Sequence, residues 1–194
     1  MLSGIKNAVP KVSMRAINKT LTGVRTDAVK EISNIITPTK KIIRSTISLH
    51  KATPYKLSGS VVSFGRPLPL LHYLAKPTKK GVSVKIKRAG KRKLFKHAWI
   101  GSPSPGGKAH TRVLIRRVSP PHRTKASSKL PWKRMQKAGL IPKAARLPLD
   151  ALAGPRVADI FSNDAVFDAV SKKAWPRLKK NFDHEIDYEL SRHK

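Results

Sequence analysis

The sequence has no cysteine, which excludes disulfides and thiolate metal sites. Aromatic residues make up only 6% of the chain, too few for a base-stacking surface. No apolar run approaches the roughly 20 residues that span a bilayer, so no membrane partner is expected. The most telling absence is acidic. Residues 32–149 contain no Asp or Glu but carry 28 Lys and Arg. The ten carboxylates lie outside that stretch: Asp27 and Glu31 before it, the other eight from Asp150 onward. A segment with one sign of charge repels itself, so it needs an anionic neighbour in its working state, with nucleic acid phosphate the default candidate.

Catalytic constellations are missing as well. Gly101-Ser-Pro-Ser-Pro-Gly-Gly-Lys108 superficially suggests a phosphate-binding loop, but Ala109 stands where a hydroxyl is required and two prolines remove cradle amides. It reads as a hairpin loop. Asp183, His184, Glu185 and Asp187 are the one His–carboxylate cluster, and on a helix only 183 and 187 share a face. A solvated acidic helix surface accounts for them. Metal-dependent nuclease or polymerase chemistry needs carboxylates that the basic segment lacks. The expectation is a protein that is not an enzyme and takes no cofactor or metal.

What is present is helical at both ends. Val9, Val12, Ala16, Ile17, Leu21, Val24, Ala28, Ile32 and Ile35 recur at three- and four-residue steps, predicting a helix over 8–36. The absence of acids before Asp27 could suit a transit peptide, but Asp27 and Glu31 continue the same period and favour a structural helix. Thr37-Pro38 predicts a second helix over about 38–49, with Thr37 as N-cap. Strand candidates are 57–64, 68–74, 82–88, 95–100 and 112–118, separated by turns that include 77–81. Val82, Val84 and Ile86 alternate with Ser83, Lys85 and Lys87, the pattern of a ribbon with one cationic face.

Residues 119–149 read as an extended basic arm, with one helical turn near 132–137. A short helix over 155–161 and a long one from Asn163 or Asp164 to about Arg192 close the chain. The long helix carries Val166, Phe167, Val170, Ala174, Leu178, Phe182, Ile186 and Leu190 as its apolar stripe, and Pro176 is expected to break or kink it near Lys173. The expected fold class is α+β: a long N-terminal helix, an antiparallel β-sheet with extended basic loops and arm, and a long C-terminal helix. It is expected as a single domain over 1–194, with helices over 1–50, sheet over 55–118, basic proline-rich arm over 119–153 and helices over 154–194.

The densest basic cluster comprises Lys79-Lys80, Lys85, Lys87-Arg88, Lys91-Arg92-Lys93 and Lys96, followed by Arg112 and Arg116-Arg117. From it, Lys85, Lys87, Arg88, Lys91, Arg92, Lys93, Arg116 and Arg117 are the candidates to face DNA or another polyanion. No zinc finger, helix-turn-helix or RNA-recognition signature accompanies them, so backbone contact is expected rather than base readout.

Several short motifs, taken in order, resemble the prophage minor tail protein Z family of tail-completion proteins from long-tailed bacteriophages. They are Arg15-Ala-Ile-Asn-Lys-Thr20, Val29-Lys-Glu-Ile32, Lys51-Ala-Thr53, Gly65-Arg-Pro-Leu-Pro-Leu70, Leu71-His-Tyr-Leu74, Ala98-Trp-Ile-Gly101, His110-Thr-Arg-Val113 and Gly154-Pro-Arg-Val-Ala-Asp-Ile-Phe161. They span roughly 15–192, and the 119–149 arm matches least. The resemblance implies a structural virion component at the head-proximal end of the tail, assembled in the host cytoplasm as a homo-oligomeric ring, expected to be a hexamer.

The implied partners are tail terminator, tail tube or head-completion proteins, with genomic duplex DNA in the lumen. Subunit or partner contacts are then expected at Pro67, Leu68, Pro69, Leu70, Gly154, Pro155, Phe161 and Phe167. Six copies of the 28-cation stretch would carry about 168 charges, whereas ~40 Å of duplex offers about 24 phosphates. Most of that charge would therefore need acidic protein neighbours. The alternative class is a ribosomal or other RNA-binding scaffold, which explains the charge but neither the ordered motifs nor the neutral C-terminal helix.

Overall fold

A computed structural model describes residues 8–102, 111–116 and 149–192. Outside them lie Arg117, most of the 101–108 loop, the helical turn expected near 132–137 and the whole of the expected arm before Leu149. The fold is α+β, with long helices near both ends and antiparallel sheets between. Contacts gather into two compact units. A helical unit takes residues up to Leu68, then Lys87–Gly90, then from Pro155 onward. A sheet unit takes Pro69–Ile86 and Lys91–Gly154.

In the helical unit, α1 covers Ala8–Ile35, close to the predicted 8–36. Val12, Ala16, Leu21, Ala28 and Ile32 are buried, whereas the end positions Val9 and Ile35 are exposed. α2 covers Lys40–Ser45 with Thr39 as its N-cap, two residues later than Thr37. It ends earlier than predicted because the Thr46 hydroxyl and amide both donate to the Ile43 carbonyl, at 2.8 and 3.2 Å. Ile47–His50, with Ile47 and Leu49 alternating against exposed Ser48 and His50, then forms β1 rather than continuing the helix. β1 pairs antiparallel with β2, Ser60–Ser63. Ile36, Ile43, Ile47 and Val157 complete the core beneath α1. α3 covers Val157–Phe161 and α4 covers Asp164–Ser191, where the Asn163 side chain accepts from the Ala165 amide at 3.0 Å as the cap.

α4 departs from expectation twice. Pro176 does not break it: the helix runs uninterrupted to Ser191. Pro176 and Lys172 are both exposed, so the carbonyl that loses its donor can be satisfied by water. The predicted apolar stripe is also not the buried face throughout. Val166 and Val170 are buried, but Ala174, Leu178, Phe182, Ile186 and Leu190 are only half-buried, while Glu185 and Glu189 are inside. The reason lies on α1, which presents charged partners to that end of α4.

In the sheet unit, β3 (Lys76–Thr78), β4 (Gly81–Val84) and β5 (Lys93–Lys96) form one antiparallel sheet. β6 (Trp99–Gly101), β7 (Arg112–Arg116) and β8 (Leu149–Ala151) form another. β3 overlaps the turn expected at 77–81, but Pro77 suits an edge strand, where its missing amide costs nothing. The strand expected at 68–74 is instead a 3₁₀ turn over Leu70–His72. With three residues per turn, Leu70 and Tyr73 fall on one face, and both are fully buried. The strand expected at 95–100 is two strands in different sheets, divided at His97, whose φ is 59°. The strand expected at 82–88 ends at Val84, although Val82 and Val84 point inward as the alternation required.

Candidate nucleic-acid interface

Charge is divided between the two units. Among the described residues, the sheet unit holds ten Lys and Arg against one carboxylate, Asp150, and the helical unit holds 20 against nine. Those nine are partly consumed within the helical unit. Ascending positions on α1 meet descending positions on α4. Arg15 Nη1 lies 3.0 Å from Glu189 Oε2, Lys19 pairs with Glu185, Arg177 Nη1 lies 2.5 Å from Asp27 Oδ2, and Lys173 Nζ lies 2.7 Å from Glu31 Oε1. Asn181 donates to the Thr20 hydroxyl at 2.9 Å between the second and third of these pairs.

In three of the four pairs the carboxylate is buried and the cation reaches solvent, the arrangement in which losing the cation is costlier than losing the acid. Hydrogen bonding to Glu31, reinforced by its charge, holds the Lys173 ammonium above the ordinary lysine range. These acids fasten the two helices in register and do not serve the basic stretch.

Of the eight predicted polyanion contacts, Arg117 lies outside the described residues and the other seven do not share one unit. Lys85, Lys91, Arg92, Lys93 and Arg116 belong to the sheet unit; Lys87 and Arg88 belong to the helical unit. Two arginines have structural work. Arg88 closes the C-terminus of α1: its Nε donates to Ser33 O at 2.5 Å and its amide to Ile35 O at 3.0 Å, satisfying carbonyls that the helix leaves unpaired. Arg92 donates to Leu74 O at 2.5 Å, Ser83 Oγ at 2.9 Å and Ser83 O at 2.8 Å, tying β4 to the 3₁₀ segment.

Lys93 stands 5.5 Å from the Phe95 ring centre, and the Arg116 guanidinium 5.9 Å from the Trp99 ring. Lys85 is half-buried and its amide donates to Tyr73 O at 3.0 Å. Lys87 and Lys91 are both exposed.

The candidate partner contacts also divide. Leu68 and Leu70 are core residues, Pro69 bridges to Ala153, and Gly154 packs so tightly on Tyr73 that an added Cβ would lie 2.5 Å from the ring. Pro155 and Phe161 are half-buried, whereas Pro67 is exposed and Phe167 is 62% exposed. Burial pushes the Tyr73 hydroxyl up to about 12.

One concentration of cations escapes a reading of the sequence as a site. The β3–β4 turn and the β5–β6 turn meet at one end of the β3–β4–β5 sheet, where the His97 amide donates to Lys80 O at 3.1 Å. Thr78, Lys79, Lys80, Gly81, Lys96, His97, Ala98 and Trp99 line a groove of about 620 Å³ there. The lysines are visible as a cluster, but no signal in the sequence brings residue 97 to residue 80.

Among the described residues, no group of three or more His, Asp and Glu could hold a metal, and no helix is long and apolar enough to cross a membrane. Fold and charge define a class: a small α+β protein whose acids brace a helix pair and whose sheet unit is cationic. Comparison with known proteins finds no matching family model, curated relative or solved structure.

Proposed function

We propose that this chain is a non-enzymatic assembly protein that works against polyanionic and acidic neighbours, most specifically a tail-completion ring component at the head-proximal end of a phage tail. The observation that carries the assembly role is the division of charge: among the described residues, ten cations against a single carboxylate in the sheet unit, while Asp27, Glu31, Glu185 and Glu189 are engaged in the helix pair. Such a surface needs charge from outside the chain. The tail assignment rests on the ordered motifs from Arg15 to Phe161.

In this reading copies of the chain form a ring, six by the resemblance, around genomic duplex DNA. Tail terminator, tail tube or head-completion proteins lie against its faces. Phosphate in the lumen is too scarce for all the cations, so a minority meet the DNA backbone and the rest meet acidic protein surfaces. Exposed Phe167 and Pro67 suit contacts with neighbours.

The test separates charge from folding. Reversing Lys87 and Lys91 to Glu leaves Arg88 and Arg92 on their carbonyls, so the chain should fold normally but fail to enter particles. Fully infectious particles from that variant, or wild-type protein sedimenting with ribosomes instead of tails, would overturn the proposal.

A further inference from the structure

The groove at the joined turns has a built geometry that a merely soluble hairpin does not need. Gly81 sits at φ 147°, and a Cβ there would collide with Phe95 O, so no other residue fits. His97, with a side chain, holds the left-handed conformation at φ 59°, which costs energy that its surroundings must supply. Thr78 Oγ1 donates to Gly81 O at 2.8 Å and fixes the first turn; the His97 amide on Lys80 O fixes the second against it. Two rigid backbone turns therefore hold Lys79, Lys80, Lys96 and His97 around one cavity, all four exposed, with half-buried Trp99 as a wall. Among the described residues, none of these four side chains meets a carboxylate.

Three ammonium groups with rotatable donors and an imidazole, in a cavity of this size, fit the oxygens of a phosphate group. A like-charged cluster without a counter-ion is unfavourable on its own, and a bound phosphate relieves it. We propose that this groove is a discrete phosphate-binding site whose ligand is the phosphodiester backbone of nucleic acid or a free polyphosphate. Lys79, Lys80 and Lys96 supply the charge, and His97 sets the turn and adds a ring N–H. The inference goes beyond the assembly role and does not depend on it, because groove-dependent binding and entry into particles are read by different assays.

The experiment uses the full-length chain with two probes, a labelled ~20-bp duplex and inorganic tripolyphosphate, titrated between ~0.05 and ~0.2 M salt. The variant K79Q/K80Q/K96Q is set against K40Q/K41Q/R44Q, which loses the same three charges from exposed positions in the helical unit. The groove variant should bind duplex about tenfold more weakly, with a log–log salt slope flatter by roughly 2 to 3; the control should lose less than about threefold. Acetylation footprinting of the unmodified chain should show duplex protecting Lys79, Lys80 and Lys96 ahead of Lys40 and Lys41.

Groove-dependent tripolyphosphate binding without groove-dependent duplex binding would support the site and identify its ligand as the free anion. Equal losses in the two variants for both probes, or uniform protection of all five lysines, would reduce the cluster to diffuse polycation charge and overturn the proposal.

Discussion

The helical and sheet units solve the same problem, excess positive charge, in opposite ways. The helical unit places carboxylates opposite cations along the α1–α4 contact and buries the acid ends. The sheet unit has only Asp150 to spend and relies instead on backbone constraint: a glycine no other residue can replace, a left-handed histidine, and Arg92 gripping two carbonyls. Paired charges fasten the α1–α4 contact, although the helical unit as a whole keeps an excess of cations. Backbone constraint gives a small sheet its shape while leaving its charge unmatched. The contrast teaches where to look first for partners: at the unit whose cations have almost no carboxylate of their own.

The largest expected effect breaks the sheet side alone. Gly81→Ala forces a Cβ into the Phe95 carbonyl at a backbone angle that side chains avoid, and should cost about 3 kcal/mol. Amide exchange should quicken across β4 and β5 while α1 and α4 remain protected; uniform loss of protection would contradict the division. Next, Arg177→Ala strands the buried Asp27 carboxylate and should destabilise the helix pair by about 2 kcal/mol in urea unfolding. Asp27→Ala leaves an arginine that solvent can reach and should cost only about 1 kcal/mol. Equal costs would mean that the acid is not the buried partner.

The smallest effect is alkaline. Below pH 10 Tyr73 is protonated in both folded and unfolded chains, but between 10 and about 12 only the folded chain retains the proton. Unfolding then releases a proton, so stability should fall as pH rises through that window, and by less in Tyr73→Phe. Parallel pH profiles for the two proteins would place the Tyr73 hydroxyl in contact with water.

The long helices are legible in the sequence because α1 repeats its apolar positions over 28 residues, long enough for the period to dominate. The orientation of α4 is not. Ranking residues by hydrophobicity puts Phe182 and Ile186 inside, but Glu185 and Glu189 take that place because Arg15 and Lys19 face them from α1. No one-dimensional pattern contains a partner more than 160 residues away. Short strands fail for a related reason: Leu70 and Tyr73 look like strand residues, but local bonds from the His72 amide to Pro69 O and the Tyr73 amide to Leu70 O, each 3.0 Å, draw them into a tight turn. The cationic stretch is plain in the sequence as a cluster, but the groove depends on Lys80 meeting His97 across two turns, a product of strand pairing.

The staple between α1 and α4 has a consequence in time. α1 emerges early from the ribosome, but Lys173, Arg177, Glu185 and Glu189 are made well over a hundred residues later. Until they arrive, α1 holds an unmatched Asp27 and an uncovered apolar stripe while the whole acid-free stretch is being synthesised. Arg88 can close the end of α1 midway, but its long face waits for α4. Contacts so distant in sequence slow folding and lengthen exposure to misassembly. Native packing of α1 should therefore wait until the α4 segment has been made, and truncation after Gly154 should yield aggregated rather than partly folded product.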